Sequence, residues 1–204
     1  MEKQSLKEIV YNETLKSIIK ADYKPGQILN EQELINKFGY SKSPIREALI
    51  MLCNDGVLRN IPRYGYEVVR LTKQDVDDIM KFRRILEAGC MREYGASLSA
   101  KQIEALRELH SNEKPADDVW DQWNANEEFH MKMISFSDNE FATRQLGYAM
   151  NIMKRAYAQY FWDKWEGPST QVVDLHGAII DALEKGDVDE AVSNLLKDLG
   201  DLRL

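Results

Sequence analysis

Residues 30–52 read NEQELINKFGYSKSPIREALIML, and the fold of the first third of the chain follows from how that stretch is punctuated. Asn30 is a favoured helix N-cap, and Leu34, Ile35 and Phe38 then fall on one side of a short helical run from Glu31 to Phe38. Gly39 allows a tight turn. Ser41 or Ser43 can cap the next helix, and Pro44 sits in its first turn, where proline is tolerated. Ile45, Ala48, Leu49 and Leu52 then form an apolar stripe. The spacing predicts a helix over residues 42–54. Upstream, Leu6, Ile9, Val10, Leu15, Ile18 and Ile19 recur at helical spacing until Pro25-Gly26 interrupts them, which places a helix over about residues 4–20. Downstream of Asp55-Gly56, the segments Val57–Ile61 and Tyr66–Val69 alternate as strands do, joined by Pro62, Arg63, Tyr64 and Gly65. Three helices and a β-hairpin make a winged helix-turn-helix pattern.

From residue 71 the strand signals stop. Thr72 and Asp75 open a helix to about residue 96, and further helical segments fit about 99–112, 116–137, 139–163, 170–185 and 188–203, bounded by capping or breaking residues. The expected architecture is mainly α: a winged helix-turn-helix domain over 1–70 and an all-α bundle of about six helices over 71–204. A chain of 204 residues, 44% hydrophobic and 30% charged, is that of a globular protein rather than a disordered one. It offers no apolar signal-peptide core and no membrane span, so a cytoplasmic location is expected. Cys53 and Cys90 are too few for a disulfide framework. The net charge of −7 hides an asymmetry. Residues 1–70 hold eleven Lys and Arg against nine Asp and Glu, and the remainder sixteen against twenty-five. A neutral-to-basic working module is joined to an acidic one with a different task.

A helix-turn-helix reads DNA by bracing one helix on the backbone while the start of the next enters the major groove. The groove-facing positions here are Ser41, Lys42, Ser43 and Arg46. Arg46 can make a forked contact with guanine, whereas Lys42 offers a point charge. The hairpin adds Arg63 and Tyr64 near its tip, with Gly65 allowing close backbone approach. From Pro25-Gly26 through Glu31, Glu33-Leu34, Ser41–Leu49, Leu52, Asp55-Gly56 and Gly65-Tyr66, the order and spacing resemble the GntR family of bacterial transcription regulators. The resemblance implies DNA contacts at Ser41, Lys42, Ser43 and Arg46, with Gln32 on the bracing helix and Gly65 at the wing tip. Gln32 and Lys42 stand where that family commonly has Arg, so Arg46 alone of three familiar arginines is kept and base choice should differ.

The helical part holds three histidines. His110, near a helix end, reads as exposed surface. His130 lies on a stripe with Trp123, Met133 and Ile134, and His176 on one with Val172, Ile179, Ile180 and Leu183, so both face the interior. His176 stands ten residues before the Gly186-Asp187 turn and Asp198 eleven after Asp187, side by side on antiparallel helices. A carboxylate on the apolar stripe of Ala191, Leu195 and Leu202 needs a cation, a metal or several donors. Asn126 is one turn before His130. Asn126, His130, His176 and Asp198 can therefore converge as a mixed oxygen and nitrogen site.

Phe82–Glu87, Asn126–His130, Asp138-Asn139, His176 and Asp187–Leu199 resemble the FadR-type, or FCD, effector domain. The resemblance implies ligand roles for Asn126, His130 and His176, with Asp198 where the fourth ligand is usually His. Zinc, manganese, iron, nickel and magnesium all remain open, and the carboxylate favours the harder ions. Such a domain implies a small carboxylate effector held at the metal, for which Arg83, Arg144 and Arg155 are the candidate guanidinium partners. A homodimer on a palindromic operator, repressing until a small organic acid binds, is the expected function. The competing readings are a metal-dependent enzyme using His130, His176 and Asp198, and a regulator that senses the metal alone. No nucleophile motif or phosphate loop supports the enzyme.

Overall fold

The computed structural model describes residues 4–111, 119–161 and 175–200. Helix α1 spans Leu6–Ile19 and begins at a reciprocal cap: the Glu8 amide donates to Ser5 Oγ and the Ser5 amide to Glu8 Oε2. A two-residue strand β1 (Ile28–Leu29) precedes α2 (Glu31–Phe38), whose Asn30 cap accepts from the Gln32 amide at 2.8 Å. Gly39 ends α2 in the left-handed conformation (φ 68°). Helix α3 (Lys42–Asn54) comes next, then β2 (Leu58–Ile61) and β3 (Gly65–Val68).

The three strands form an antiparallel sheet in the order β1-β3-β2, with Leu29 opposite Tyr66 and Asn60 opposite the same residue from the other side. Only the β2–β3 hairpin is expected from the sequence. A strand of two residues is too short to show alternation, so β1 leaves no periodic signal. The core under this sheet gathers Val10 from α1, Leu34 from α2, and Ile45, Leu49 and Leu52 from α3 against Leu29, Leu58 and Val68. Each such buried aliphatic contributes about 1.5–3 kcal/mol relative to exposure.

The second half is helical throughout its described residues: α4 (Lys73–Tyr94), a 3-10 turn at Gly95–Ser97, α5 (Ala100–Ser111), α6 (Val119–Ser135), α7 (Glu140–Phe161), α8 (Leu175–Glu184) and α9 (Val188–Asp198). Asp187 caps α9 by accepting from the Glu190 amide, and α9 ends at Asp198 with Leu199 as its C-cap; residues 201–203 of the expected helix lie outside the described residues. Among the described residues no helix is long and apolar enough to cross a membrane.

The chain divides into two compact units. The first unit is residues 1–72 with 152–163; the second is 73–151 with 164–204. Within the first unit the later half of α7 is tied to the winged helix: Arg155 Nη1 donates to the Gly56 carbonyl at 3.0 Å, Gln159 exchanges two hydrogen bonds with the Leu71 backbone, and Tyr160 Oη donates to the Leu71 carbonyl. Within the second unit α8 and α9 form a hairpin whose apolar faces, Ile179, Ile180 and Leu183 against Ala191, Val192 and Leu195, are buried.

Candidate functional site

In the first unit the start of α3 is open to solvent. Ser41, Lys42, Ser43 and Arg46 are exposed, while Ile45, Ala48 and Leu49 on the opposite side are buried, the pattern of an amphipathic helix. Ser41 is the N-cap by backbone geometry, yet its side chain makes no capping bond. Ser43 Oγ donates to Glu47 Oε1, and Gln32 Nε2 donates to Asn36 Oδ1 on the exposed side of α2. Lys42 and Arg46 both approach one carboxylate, that of Glu31. Arg63 is exposed at the hairpin tip in a left-handed conformation (φ 71°).

Gly65 is constrained within the sheet. Its φ is 133°, and a Cβ there would come within 2.5 Å of the Leu29 carbonyl oxygen. Because β3 passes this close to β1, the sheet by itself requires glycine here.

In the second unit His130 on α6, His176 on α8 and Asp198 at the end of α9 place one ligand atom each within 4.8 Å of one another. His130 Nε2 lies 3.1 Å from Asp198 Oδ2, and His176 Nε2 lies 3.9 Å from Asp198 Oδ1. The α8–α9 turn sets this pairing, and Phe129 stacks flat on the His176 ring at 3.9 Å between centroids. His130 is 1% exposed, and its Nε2, though close to Asp198, makes no aligned hydrogen bond. Asn126 sits one turn earlier on α6 and is half-buried.

Behind this trio stands a pair that sequence reasoning misses as a unit. Glu87 Oε2 lies 2.6 Å from His130 Nδ1, and Glu87 Oε1 accepts from Arg83 Nε at 2.9 Å, all of it buried. Arg83 is 1% exposed, and its Nη2 has no hydrogen-bond partner among the described residues. A signal is present in the sequence: Arg83 and Glu87, one turn apart, share the α4 stripe of Val76, Met80 and Met91.

Burial alone would disfavour the charged form of each member. For His130 that penalty is outweighed by the Glu87 carboxylate and by Asp198, which leave its pKa above the usual histidine value. Glu87 and Asp198 are likewise pushed up by burial, but the neighbouring His130 charge and, behind it, Arg83 hold both carboxyls below their usual range.

The three candidate arginines separate. Arg83 belongs to the cluster. Arg144 is 66% exposed on α7, pairs with Glu140 and lies over the Phe141 ring. Arg155 is buried in the first unit, bonded to Gly56. Arg144 does not join the histidines within its own unit, because helical spacing places a residue on a face without saying what that face meets. His110 also departs from the expected surface position: it is half-buried, its ring 6.4 Å edge-on from that of His176.

Comparison with known proteins gives two adjoining family matches. The profile described as "Bacterial regulatory proteins, gntR family" matches residues 6–68, and that of the FCD domain matches residues 78–199. A Bacillus subtilis protein named as an uncharacterized HTH-type transcriptional regulator, YdhC, is 31% identical over 151 residues, 70% of this chain and 66% of that protein. The HTH-type transcriptional repressor RspR of Escherichia coli is 23% identical over 207 residues, 97% of this chain and 89% of its own length. Among solved structures, that of E. coli McbR/YncC superposes with a TM-score of 0.79 at 21% identity, covering 97% of this chain and 95% of that one, a likeness of fold.

Proposed function

The chain belongs to the GntR family of bacterial regulatory proteins and carries an FCD effector domain, and on that premise we propose that it is a repressor that releases DNA when its helical unit binds a small organic acid held at a metal. The family and its relatives are DNA-binding transcription regulators and not enzymes. Ser41, Lys42, Ser43 and Arg46 enter the major groove, with Arg46 as the forked reader of guanine; Gln32 braces the backbone and Arg63 extends from the wing. The protein works in the cytoplasm as a homodimer on a palindromic operator. Exposed apolar side chains at Phe82 and Ile85 on α4, and at Phe141 and Tyr148 on α7, favour a partner in that role.

His130, His176 and Asp198, with Asn126 on the same face of α6, are the ligands proposed for a divalent cation. Two imidazoles with oxygen donors suit first-row ions from manganese to zinc, and the carboxylate extends the range to magnesium. The donor set fits such an ion on two counts: the His130 Nε2 is buried without an aligned hydrogen bond, and Glu87 fixes the other ring nitrogen as a carboxylate behind a ligating histidine does. When bound, the cation supplies a positive centre for a carboxylate oxygen and no covalent chemistry.

The observation that carries the proposal is the Nη2 of Arg83, a buried guanidinium nitrogen with an unfilled donor beside this cluster. An unsatisfied buried charged donor costs stability, and an anionic oxygen removes that cost. The experiment is titration of metal-stripped protein with Mn²⁺, Ni²⁺ and Zn²⁺ by calorimetry. Anisotropy on a duplex selected by the protein from a random pool comes second, with metal alone and with metal plus a panel of hydroxy and dicarboxylic acids. Metal uptake lost in His130→Ala, and operator release by an acid lost in Arg83→Gln, are expected. Operator release by metal alone would assign the site to metal sensing.

A further inference from the structure

Glu31 is not among the residues a DNA-reading helix is expected to use, yet its carboxylate touches both cations that α3 presents. Oε2 lies 3.3 Å from Arg46 Nη2 and 3.4 Å from Arg46 Nε, and Oε1 lies 3.6 Å from Lys42 Nζ. Glu31 is the first residue of α2, placed there by the Asn30 cap, so its position is set by the bracing helix and not by the reading helix. The three side chains are unequally wet: those of Lys42 and Arg46 are 65% and 54% exposed, that of Glu31 only 20%. Glu31 Oε1 is fully shielded and accepts no hydrogen bond.

Such an arrangement is poorly suited to stabilising the fold. Pairs with exposed cations contribute little, and shielding a carboxylate oxygen without a donor works against the fold. It is well suited to two other tasks. A guanidinium held through Nε and Nη2 to one oxygen is restricted in rotamer, so less freedom is lost when it meets the forked acceptors of a guanine. A negative charge between two cations also weakens their pull on any phosphate, which is the sequence-independent part of DNA binding.

We infer that Glu31 is a positioning and specificity-determining residue of the DNA face, holding Arg46 toward the base edges and restraining Lys42 and Arg46 from indiscriminate phosphate capture. The inference rests on the reading of Arg46 and Lys42 as DNA contacts. Full sequence discrimination then requires the carboxylate as well as the cations.

The test uses the full-length protein, a duplex enriched from a random pool by the unmodified chain, and a shuffled duplex of the same composition. For Glu31→Gln, affinity for the shuffled duplex should rise, with its salt dependence steeper by about one phosphate contact. The ratio of selected to shuffled affinity should fall by about tenfold, within what one bidentate base contact supplies. Glu31→Asp, which keeps the charge on a shorter arm, should recover part of the ratio. In an Arg46→Ala background, Glu31→Gln should leave the ratio unchanged, because the residue acts through Arg46. Unfolding temperature is measured on every variant. An unchanged ratio and salt slope in Glu31→Gln would overturn the inference, as would an equal loss on both duplexes together with a lowered unfolding temperature. If the unmodified protein enriches no duplex, the DNA-contact reading itself fails and Glu31 with it; enrichment lost in Arg46→Ala with Glu31→Gln silent removes only the role of Glu31.

Discussion

Glu87 divides its two oxygens between Arg83 and His130, so one buried carboxylate organises both halves of the proposed effector site. Its loss should be felt at the metal without removing a ligand. Glu87→Gln is expected to lower metal affinity by about 10- to 100-fold, the usual effect of losing the group behind a ligating histidine, while His176 and Asp198 stay in place. Calorimetric titration with Zn²⁺ reads it, and an unchanged affinity would remove Glu87 from the site. The same network fixes a pH dependence in the metal-stripped protein. The folded pKa of His130 lies above its unfolded value of about 6.5, so its contribution to stability is fully present below that pH and is lost as pH rises through the folded value. Glu87 has the opposite sign: its contribution is present above its unfolded value of about 4.3 and disappears as pH falls through the lowered folded value. Unfolding temperature measured against pH in the presence of a chelator should therefore decline on the alkaline side, and that decline should be absent in His130→Asn.

At the scale of elements, the first unit is held in register by backbone demands that side-chain chemistry cannot replace. Gly65→Ala is expected to destabilise it by about 1–3 kcal/mol from the disfavoured backbone conformation alone, with the clash against the Leu29 carbonyl in addition. Denaturant unfolding measures the loss. If instead the variant keeps its stability and loses only DNA affinity, the glycine serves the duplex rather than the sheet. Asn30→Ala should cost about 1 kcal/mol through the α2 cap. These elements differ in how far they can be read from sequence. The α2 cap, the Gly39 stop and the α3 stripe are local, written within a few residues of one another, and so are legible. So is the convergence of His176 with Asp198, because a short turn between two helices fixes the count on either side of it. The clasp of Glu31 on Arg46 and the contact of Glu87 with His130 span 15 and 43 residues, and no periodicity carries such pairings. Arg144 and Arg155 show the same limit from the other side. Each occupies a definite helical face, but the neighbour that decides its role lies beyond the reach of helical spacing.

At the scale of the whole molecule, α7 is the element that contributes residues to both compact units. Its residues from Ile152 onward belong with the winged helix, where Arg155, Gln159 and Tyr160 satisfy the carbonyls of Gly56 and Leu71 and the amide of Leu71. Ala158 and Gln159 also close a small apolar hollow lined by Ile18, Val68 and Leu71. A fragment ending at residue 72 keeps the three described strands and the exposed start of α3, yet it loses every one of those hydrogen-bond partners and wets that hollow. Each hydrogen bond contributes about 0.5–1.5 kcal/mol net, a large share of the stability of a domain of that size. The isolated fragment 1–72 is accordingly expected to unfold at lower denaturant concentration than the same residues in the full chain, with hydrogen-exchange protection reduced first around Gly56, Val68 and Leu71. Gln159→Leu in the full chain, which removes two of the bonds and keeps the bulk, should move protection at Leu71 in the same direction by a smaller amount. Equal protection in fragment and full chain would mean that the winged helix is complete without α7. The ties from Arg155, Gln159 and Tyr160 would then contribute nothing to its stability.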